Sequence, residues 1–299
     1  MPRTFILEQL ELYYRASPPA RAVEADYSIW QCSETGLEFA WPMSPGNASF
    51  YEWVSSFASY YPEARWEHGE VRRFLEGRQR DGPGFSKVLD VGCGKGNFLR
   101  TLDFIPSDQR FGLDLNEPGV EACRRQGFRA FCGTIDAALR ANFVGAAEFP
   151  VVTSFHCLEH VDKPVEFVRS LAELTAAGGR MFVSTPYSPM SFEADWFDVM
   201  NYPPHHLTRW NLKSYERLAE MLGLTMRALY PPPSTVRLAL TMFSLLRYGP
   251  NRHVGKARLW ADLLLHFPLA AHSHRVLRER ARNNGGTTAD VILVELTKP

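Results

Sequence analysis

Between residues 87 and 186 short apolar runs alternate with longer segments whose apolar residues recur every three or four positions. The runs KVLDV (87–91), RFGLDLN (110–116), FRAFCGTID (128–136), PVVTSFHCLEHV (150–161) and GGRMFVSTP (178–186) read as strands. The fourth is expected to run straight into a helix, and the paired glycines 178 and 179 to close the helix before the fifth. TMRALYP (225–231) and VILVELT (291–297) supply two more strands. This alternation predicts a mostly parallel sheet with helices on both faces. Two later stretches break the pattern. STVRLALTMFSLLRY (234–248) is polar chiefly at Arg237, Thr241, Ser244 and Arg247, and KARLWADLLLHF (256–267) at Arg258, Asp262 and His266. Helices that apolar are expected to bury nearly all round. The organisation that follows is an N-terminal segment over 1–80, an α/β core over 81–233 plus 286–299, and a helical insertion over 234–285.

Composition narrows the setting. Lysine plus arginine equal aspartate plus glutamate, 33 against 33, so no global field recruits nucleic acid or a membrane. The one basic run, Arg275, Arg278, Arg280 and Arg282, lies in the insertion and is not interleaved with base-stacking aromatics, so no nucleic-acid partner is expected. Cysteines at 32, 93, 123, 132 and 157 form no CxxC pair, which suits reduced thiols and a cytoplasmic location. Cys32 stands alone, so a zinc site near the N-terminus is not expected. The start, MPRTFILEQLELYYRAS, has charges inside its apolar stretch and does not read as a signal peptide, so glycosylation at Asn47 is not expected either. No run of 18 apolar residues marks a membrane span.

The chemistry begins in KVLDVGCGKGNF (87–98), a strand that ends in an acid and opens into glycines. A parallel strand followed by a glycine loop and a helix builds a site for an adenosine-containing cofactor. A dinucleotide fingerprint wants its third glycine three positions after the second; Asn97 stands there, which disfavours NAD. The second strand delivers Asp114 24 positions after Asp90, near where a ribose-binding acid belongs.

The acid Asp90, the GxGxG of Gly92, Gly94 and Gly96, the placed Asp114, the Glu-His pair at 159–160 and the Thr-Pro at 185–186 resemble the class I S-adenosylmethionine-dependent methyltransferase family. The likeness covers roughly residues 60 to 231 plus the final strand, and leans toward the small-molecule, ubiquinone-type O-methyltransferases. It implies a Rossmann-like seven-stranded sheet whose last strand is antiparallel, with the helical insertion between the last two strands. The implied donor is S-adenosylmethionine and the product S-adenosylhomocysteine. Carried over by position, the donor would be held by Asp90, Gly92, Gly94, Gly96, Asp114, Leu115, Thr134, Ile135, Asp136 and His156, with the 134–136 loop along the adenine. Asp136 reads equally well as a helix N-cap. The aromatic-rich stretch before the first strand becomes a lid, with Tyr60, Tyr61 and Trp66 as its wall.

Methyl transfer needs alignment above all, and a base only where the acceptor must lose a proton. Bases are on offer. HCLEH places His156, Glu159 and His160 on one face of a helical turn, and NYPPHHLTRWN holds His205 and His206 behind two prolines. His160, His205 and His206 are the catalytic candidates, which points to a hydroxyl on a small molecule, glycan or lipid-linked acceptor. The competing reading of His205 and His206 is that they cap the next helix or satisfy buried carbonyls. The face at 156, 159 and 160 is similar to a metal-binding cluster of some ubiquinone-type enzymes, but begins with histidine where that pattern has an acid. No metal is therefore expected. The insertion reads as extra core, a homodimer contact, or a peripheral membrane surface with arginines on anionic headgroups. Rival functions are a nicotinamide-dependent oxidoreductase or epimerase, and a non-catalytic methyltransferase-like binding protein.

Overall fold

A computed structural model of the chain describes residues 1–57, 60, 62–81, 85–145, 149–191, 193, 197–232, 240, 243, 244, 247, 256–283 and 289–298. It opens with α1 (Arg3–Tyr14), the hairpin strands β1 (Ser28–Gln31) and β2 (Glu38–Trp41), then α2 (Ala48–Ser55) and α3 (Trp66–Asp81). From there strand and helix alternate: β3 (Val88–Val91), α4 (Asn97–Thr101), β4 (Arg110–Asp114), α5 (Glu117–Arg125), β5 (Arg129–Cys132), α6 (Ile135–Arg140), β6 (Phe149–Phe155), α7 (Pro164–Leu174) and β7 (Thr175–Pro186). The short β8 (Thr208–Arg209) leads into α8 (Leu212–Leu222) and β9 (Thr225–Leu229). Beyond it lie α9 (Lys256–Leu265), α10 (Phe267–Asn283) and β10 (Val291–Thr297).

The large sheet runs β5-β4-β3-β6-β7-β10-β9. β5 through β7 are parallel, and β10 is antiparallel to both of its neighbours. All seven expected strands are present, with the antiparallel one last in sequence. Alternate residues of each strand feed opposite faces. Val88 and Val151 join a core under α3, α4 and α5, while Leu89 and Val152 join another under α7 and α8. That double burial explains why the strands read as unbroken apolar runs rather than alternating ones.

Two local expectations fail. α7 ends at Leu174 and the chain enters β7 at once, so Gly178 and Gly179 lie inside the strand instead of closing the helix. Pairing of Thr175 with Phe149 captures the chain early, and the ladder then shifts register before Val151 meets Arg180; Gly178, at φ 68, takes up the irregularity. After β6 the chain makes only a single 3₁₀ turn, Leu158–His160, before α7.

A second, antiparallel sheet of β1, β2 and β8 ties the N-terminal segment to the 197–207 loop. Ile6, Leu10, Val23, Phe50 and Val54 pack there against Val199, Met200 and Leu207. Of the insertion, Arg237 and Thr241 fall outside the described residues. Phe243 is buried, as expected, but α9 and the start of α10 leave Trp260, Leu264, Leu265 and Phe267 exposed. The expectation that these helices are buried all round is corrected by that apolar surface.

Candidate active site

The glycine turn sits at the carboxyl end of β3, the middle one of the five parallel strands. Gly92, Gly94 and Gly96 all have positive φ (82, 53 and 75), which a side chain would strain. The turn is anchored sideways, with Gly92 N and Cys93 N donating to Leu113 O at 2.8 and 3.0 Å. A Cβ on Gly119, in the first turn of α5, would stand 2.7 Å from Gly94 O, so glycine there is what lets the helix seat against the loop.

Asp114 closes the other side. Its Oδ2 accepts from Gly94 N at 2.7 Å and its Oδ1 from Asn116 N at 2.8 Å, leaving a lone pair on each oxygen for vicinal hydroxyls. Burial raises its pKa, while the Asn116 and Gly94 bonds oppose the rise. The next residue, Leu115, is 73% exposed, an apolar surface standing beside a half-buried acid. These features fit an adenosine: a carboxylate for the ribose and a side chain for the face of the base. Thr134 caps α6 by accepting from Ala137 N, so Asp136 is not the N-cap; it stands in the first turn, exposed. Ile135 packs into the core. Asp90 is buried, pairs in register with Thr153, and accepts its hydroxyl at 2.7 Å. Burial pushes its carboxyl up to about 7 against that bond.

At the end of β6, His156 holds φ 49, an uncommon conformation for a side-chain-bearing residue and one that gathers at functional sites. Its Nε2 is 2.6 Å from Glu67 Oε1 of α3, and its Nδ1 is 3.3 Å from Glu159 Oε1. Burial works against the charged imidazole, but the Glu159 and Glu67 carboxylates outweigh it and hold its pKa above the usual value. Glu67 would be raised by burial, yet the bond to His156 brings it down to about 2. An imidazolium shared by two buried carboxylates results.

Beside this pair the three catalytic candidates come together. The ring centroids of His160 and His205 are 4.5 Å apart, those of His160 and His206 4.9 Å, and those of His205 and His206 4.6 Å. Each Nδ1 meets an oxygen: His160 with His205 O at 2.6 Å, His205 with Met200 O at 2.8 Å, His206 with Asn201 Oδ1 at 3.0 Å. Burial holds His205 and His206 well below the ordinary histidine range, with the neighbouring rings adding to the effect. Neither caps α8, whose N-terminus is closed by an Asn211–Ser214 capping box. Carbonyl satisfaction, the other part of the competing reading, does describe the Nδ1 of His205.

Of the expected wall, the Tyr60 hydroxyl reaches His205 Nε2 at 3.4 Å, Trp66 packs beside the α3 core, and Tyr61 lies outside the described residues. Sequence reasoning missed Glu67 and Asn201. An acid in the first turn of a helix looks like an ordinary dipole partner, and nothing in the chain marks Asn201 as the partner of His206. The face of His156, Glu159 and His160 does not form as a shared ligand set, because His156 is taken up by the two carboxylates.

Residues 62–229, more than half of the chain, match a family model described as a methyltransferase domain. The ubiquinone biosynthesis O-methyltransferase of Proteus mirabilis is 33% identical over 35% of this chain and 44% of its own length. That of Ralstonia nicotianae is 28% identical over 54% of this chain and 74% of its own. The chain thus spans less than half the length of the first curated relatives it matches. The plantazolicin methyltransferase BpumL, solved with SAH, shares the fold with a TM-score of 0.52 at 14% identity, over 84% of this chain and 91% of its own. The family match sets aside the nicotinamide reading, in agreement with Asn97 in place of a third glycine and with the antiparallel β10 in the large sheet. By sheet order, glycine turn and family match together, the chain belongs to the class I S-adenosylmethionine-dependent methyltransferase family.

Proposed function

We propose that the chain methylates a hydroxyl of a small molecule, glycan or lipid-linked acceptor, with a histidine of the cluster as general base. When bound, S-adenosylmethionine supplies a sulfonium methyl for in-line displacement. Asp114 would accept from its ribose, Leu115 would lie on its adenine, and the Gly92–Gly96 turn would pass beneath its amino acid part. His156 and Asp90 line the end of the same strands. The similar ubiquinone biosynthesis enzymes are O-methyltransferases, which points the same way.

One observation carries the base. His206 keeps its Nδ1 on Asn201 and points Nε2 toward Glu159 Oε1, 4.0 Å away. A neutral ring with that lone pair takes a proton from an acceptor hydroxyl, and the buried carboxylate then steadies the imidazolium. His206→Ala is expected to lower turnover by about 10²- to 10⁴-fold, the usual worth of a positioned base. His205→Ala should follow in the same direction, while S-adenosylhomocysteine affinity, measured by calorimetry, stays within a few-fold. Full turnover in both variants places the base elsewhere.

The lipid-linked form of the acceptor draws support from the apolar surface of Trp260, Leu264, Leu265 and Phe267, flanked by exposed Arg258 and Arg275.

A further inference from the structure

The hydrogen bonds around the three histidines decide where their protons sit. A backbone carbonyl only accepts, so His160 and His205 must each carry the proton on Nδ1. The Asn201 amide is oriented by its Nδ2, which donates to Glu193 Oε1 at 2.9 Å, so its Oδ1 also accepts and His206 is protonated on Nδ1 as well. Burial keeps His205 and His206 neutral, so each offers a lone pair on Nε2, where the Tyr60 hydroxyl stands 3.4 Å from that of His205, and the His160 ring has its Nδ1 spent on a carbonyl, which leaves Nε2 as its free position. Fixing one ring N–H on a carbonyl so that the other nitrogen offers its lone pair is the usual arrangement around a metal-ligating histidine.

A second observation points the same way. Glu159 is 1% exposed, yet neither of its carboxylate oxygens has a hydrogen-bond partner. Its ion-pair neighbour His156 is shared with Glu67, so two carboxylates meet one imidazolium and a negative charge is left over. Buried charge without compensation is costly. One ring nitrogen of each histidine lies within 4.8 Å of the other two. A tetrahedral ion with bonds of about 2.0 to 2.1 Å needs its nitrogens roughly 3.4 Å apart.

We infer that His160, His205 and His206 form a site for one divalent cation of the zinc class, bound through three Nε2 atoms, with Glu159 beside it and a fourth position open to an acceptor oxygen. This departs from the metal-free expectation of the sequence, and keeps His160 and Glu159 from the face that expectation weighed while replacing His156 by His205 and His206. Its purpose rests on the O-methylation reading; its existence does not. With the cation in place, an acceptor hydroxyl bound to it loses its proton to Glu159, and the oxygen then takes the methyl as the sulfur–carbon bond breaks. Without it, His206 takes the proton directly.

The test is read without activity. Full-length protein is stripped with a chelator, dialysed against Zn²⁺ or Co²⁺, and desalted. About one equivalent of metal should remain per chain, Co²⁺ should show the strong visible bands of a tetrahedral centre, and X-ray absorption of the Zn²⁺ form should show three imidazoles at about 2.0 to 2.1 Å. His160→Gln and His206→Gln should each lower retained metal at least fivefold while S-adenosylhomocysteine still binds, which also confirms their folding. Wild-type protein that retains no metal overturns the inference, as does metal carried by fewer than three imidazoles or retained equally by both variants. If the metal binds as expected while no hydroxyl compound is methylated, the acceptor reading fails and the cation site stands.

Discussion

Asp90 shows what a single buried acid costs. Among the described residues its side-chain partner is the Thr153 hydroxyl, and burial pushes its carboxyl up to about 7 from an ordinary 3.8. A raised folded-state pKa in an acid means that the folded chain holds a proton which the unfolded chain has released. Stability from this group therefore falls as pH rises from about 3.8 to about 7. Asp90→Asn keeps an acceptor for Thr153 and removes the titration. The variant should gain on the wild type by ~2.5 kcal/mol between pH 5 and pH 8 in urea denaturation; a flat difference across that range would sink the assignment. The places of Asp90 and Asp114 beside the glycine turn were legible because the glycines fix the frame around them. The histidine pair was legible as chemistry, but its protonation was not, since that depends on Met200 and Asn201, several residues away in sequence and recognisable only as hydrogen-bond partners. Glu67 was invisible for a related reason, because its partner His156 lies 89 positions on.

At the scale of elements, the donor loop depends on how closely α5 approaches it. Helix propensity alone favours alanine over glycine by about 1 kcal/mol in a helix interior. Gly119 goes against that preference because an added Cβ would meet the Gly94 carbonyl at 2.7 Å, and a backbone oxygen cannot swing away as a side chain can. Gly119→Ala should therefore push the glycine turn off its seat and weaken S-adenosylhomocysteine binding by about tenfold or more, roughly the 1.4 kcal/mol of one displaced contact. Gly77→Ala in α3 is the control, since a Cβ there meets nothing within 4 Å. That change should raise stability by up to about 1 kcal/mol with binding unchanged. Calorimetry showing wild-type affinity for Gly119→Ala would remove the contact from the account. The strands themselves were legible throughout, because burial on both faces leaves an unmistakable apolar run. The irregularities were not. Whether paired glycines end a helix or bend a strand is decided by when the neighbouring strand captures the chain, and Phe149 does so at Thr175, three residues before Gly178.

Across the whole molecule, charge is balanced on average but not in place. Between residues 252 and 282 there are seven arginines and lysines against two acids, in a chain whose total is neutral. The same segment exposes Trp260, Leu264, Leu265 and Phe267. The sequence showed helices too apolar for solvent, and the structure leaves these four side chains uncovered. No helix among the described residues is long and apolar enough to cross a membrane. An apolar ridge with cations around it matches an anionic headgroup layer, where each basic residue near the surface contributes about 1 kcal/mol and salt screens the attraction. The protein should sediment with vesicles containing anionic phospholipid at low salt and be released as salt rises. Leu264→Glu combined with Phe267→Glu should weaken that binding at least tenfold without changing S-adenosylhomocysteine affinity. A protein that stays in the supernatant at low salt, or one that light scattering finds as a dimer which the same two changes split, would give the ridge to a second copy of the chain instead of a lipid surface.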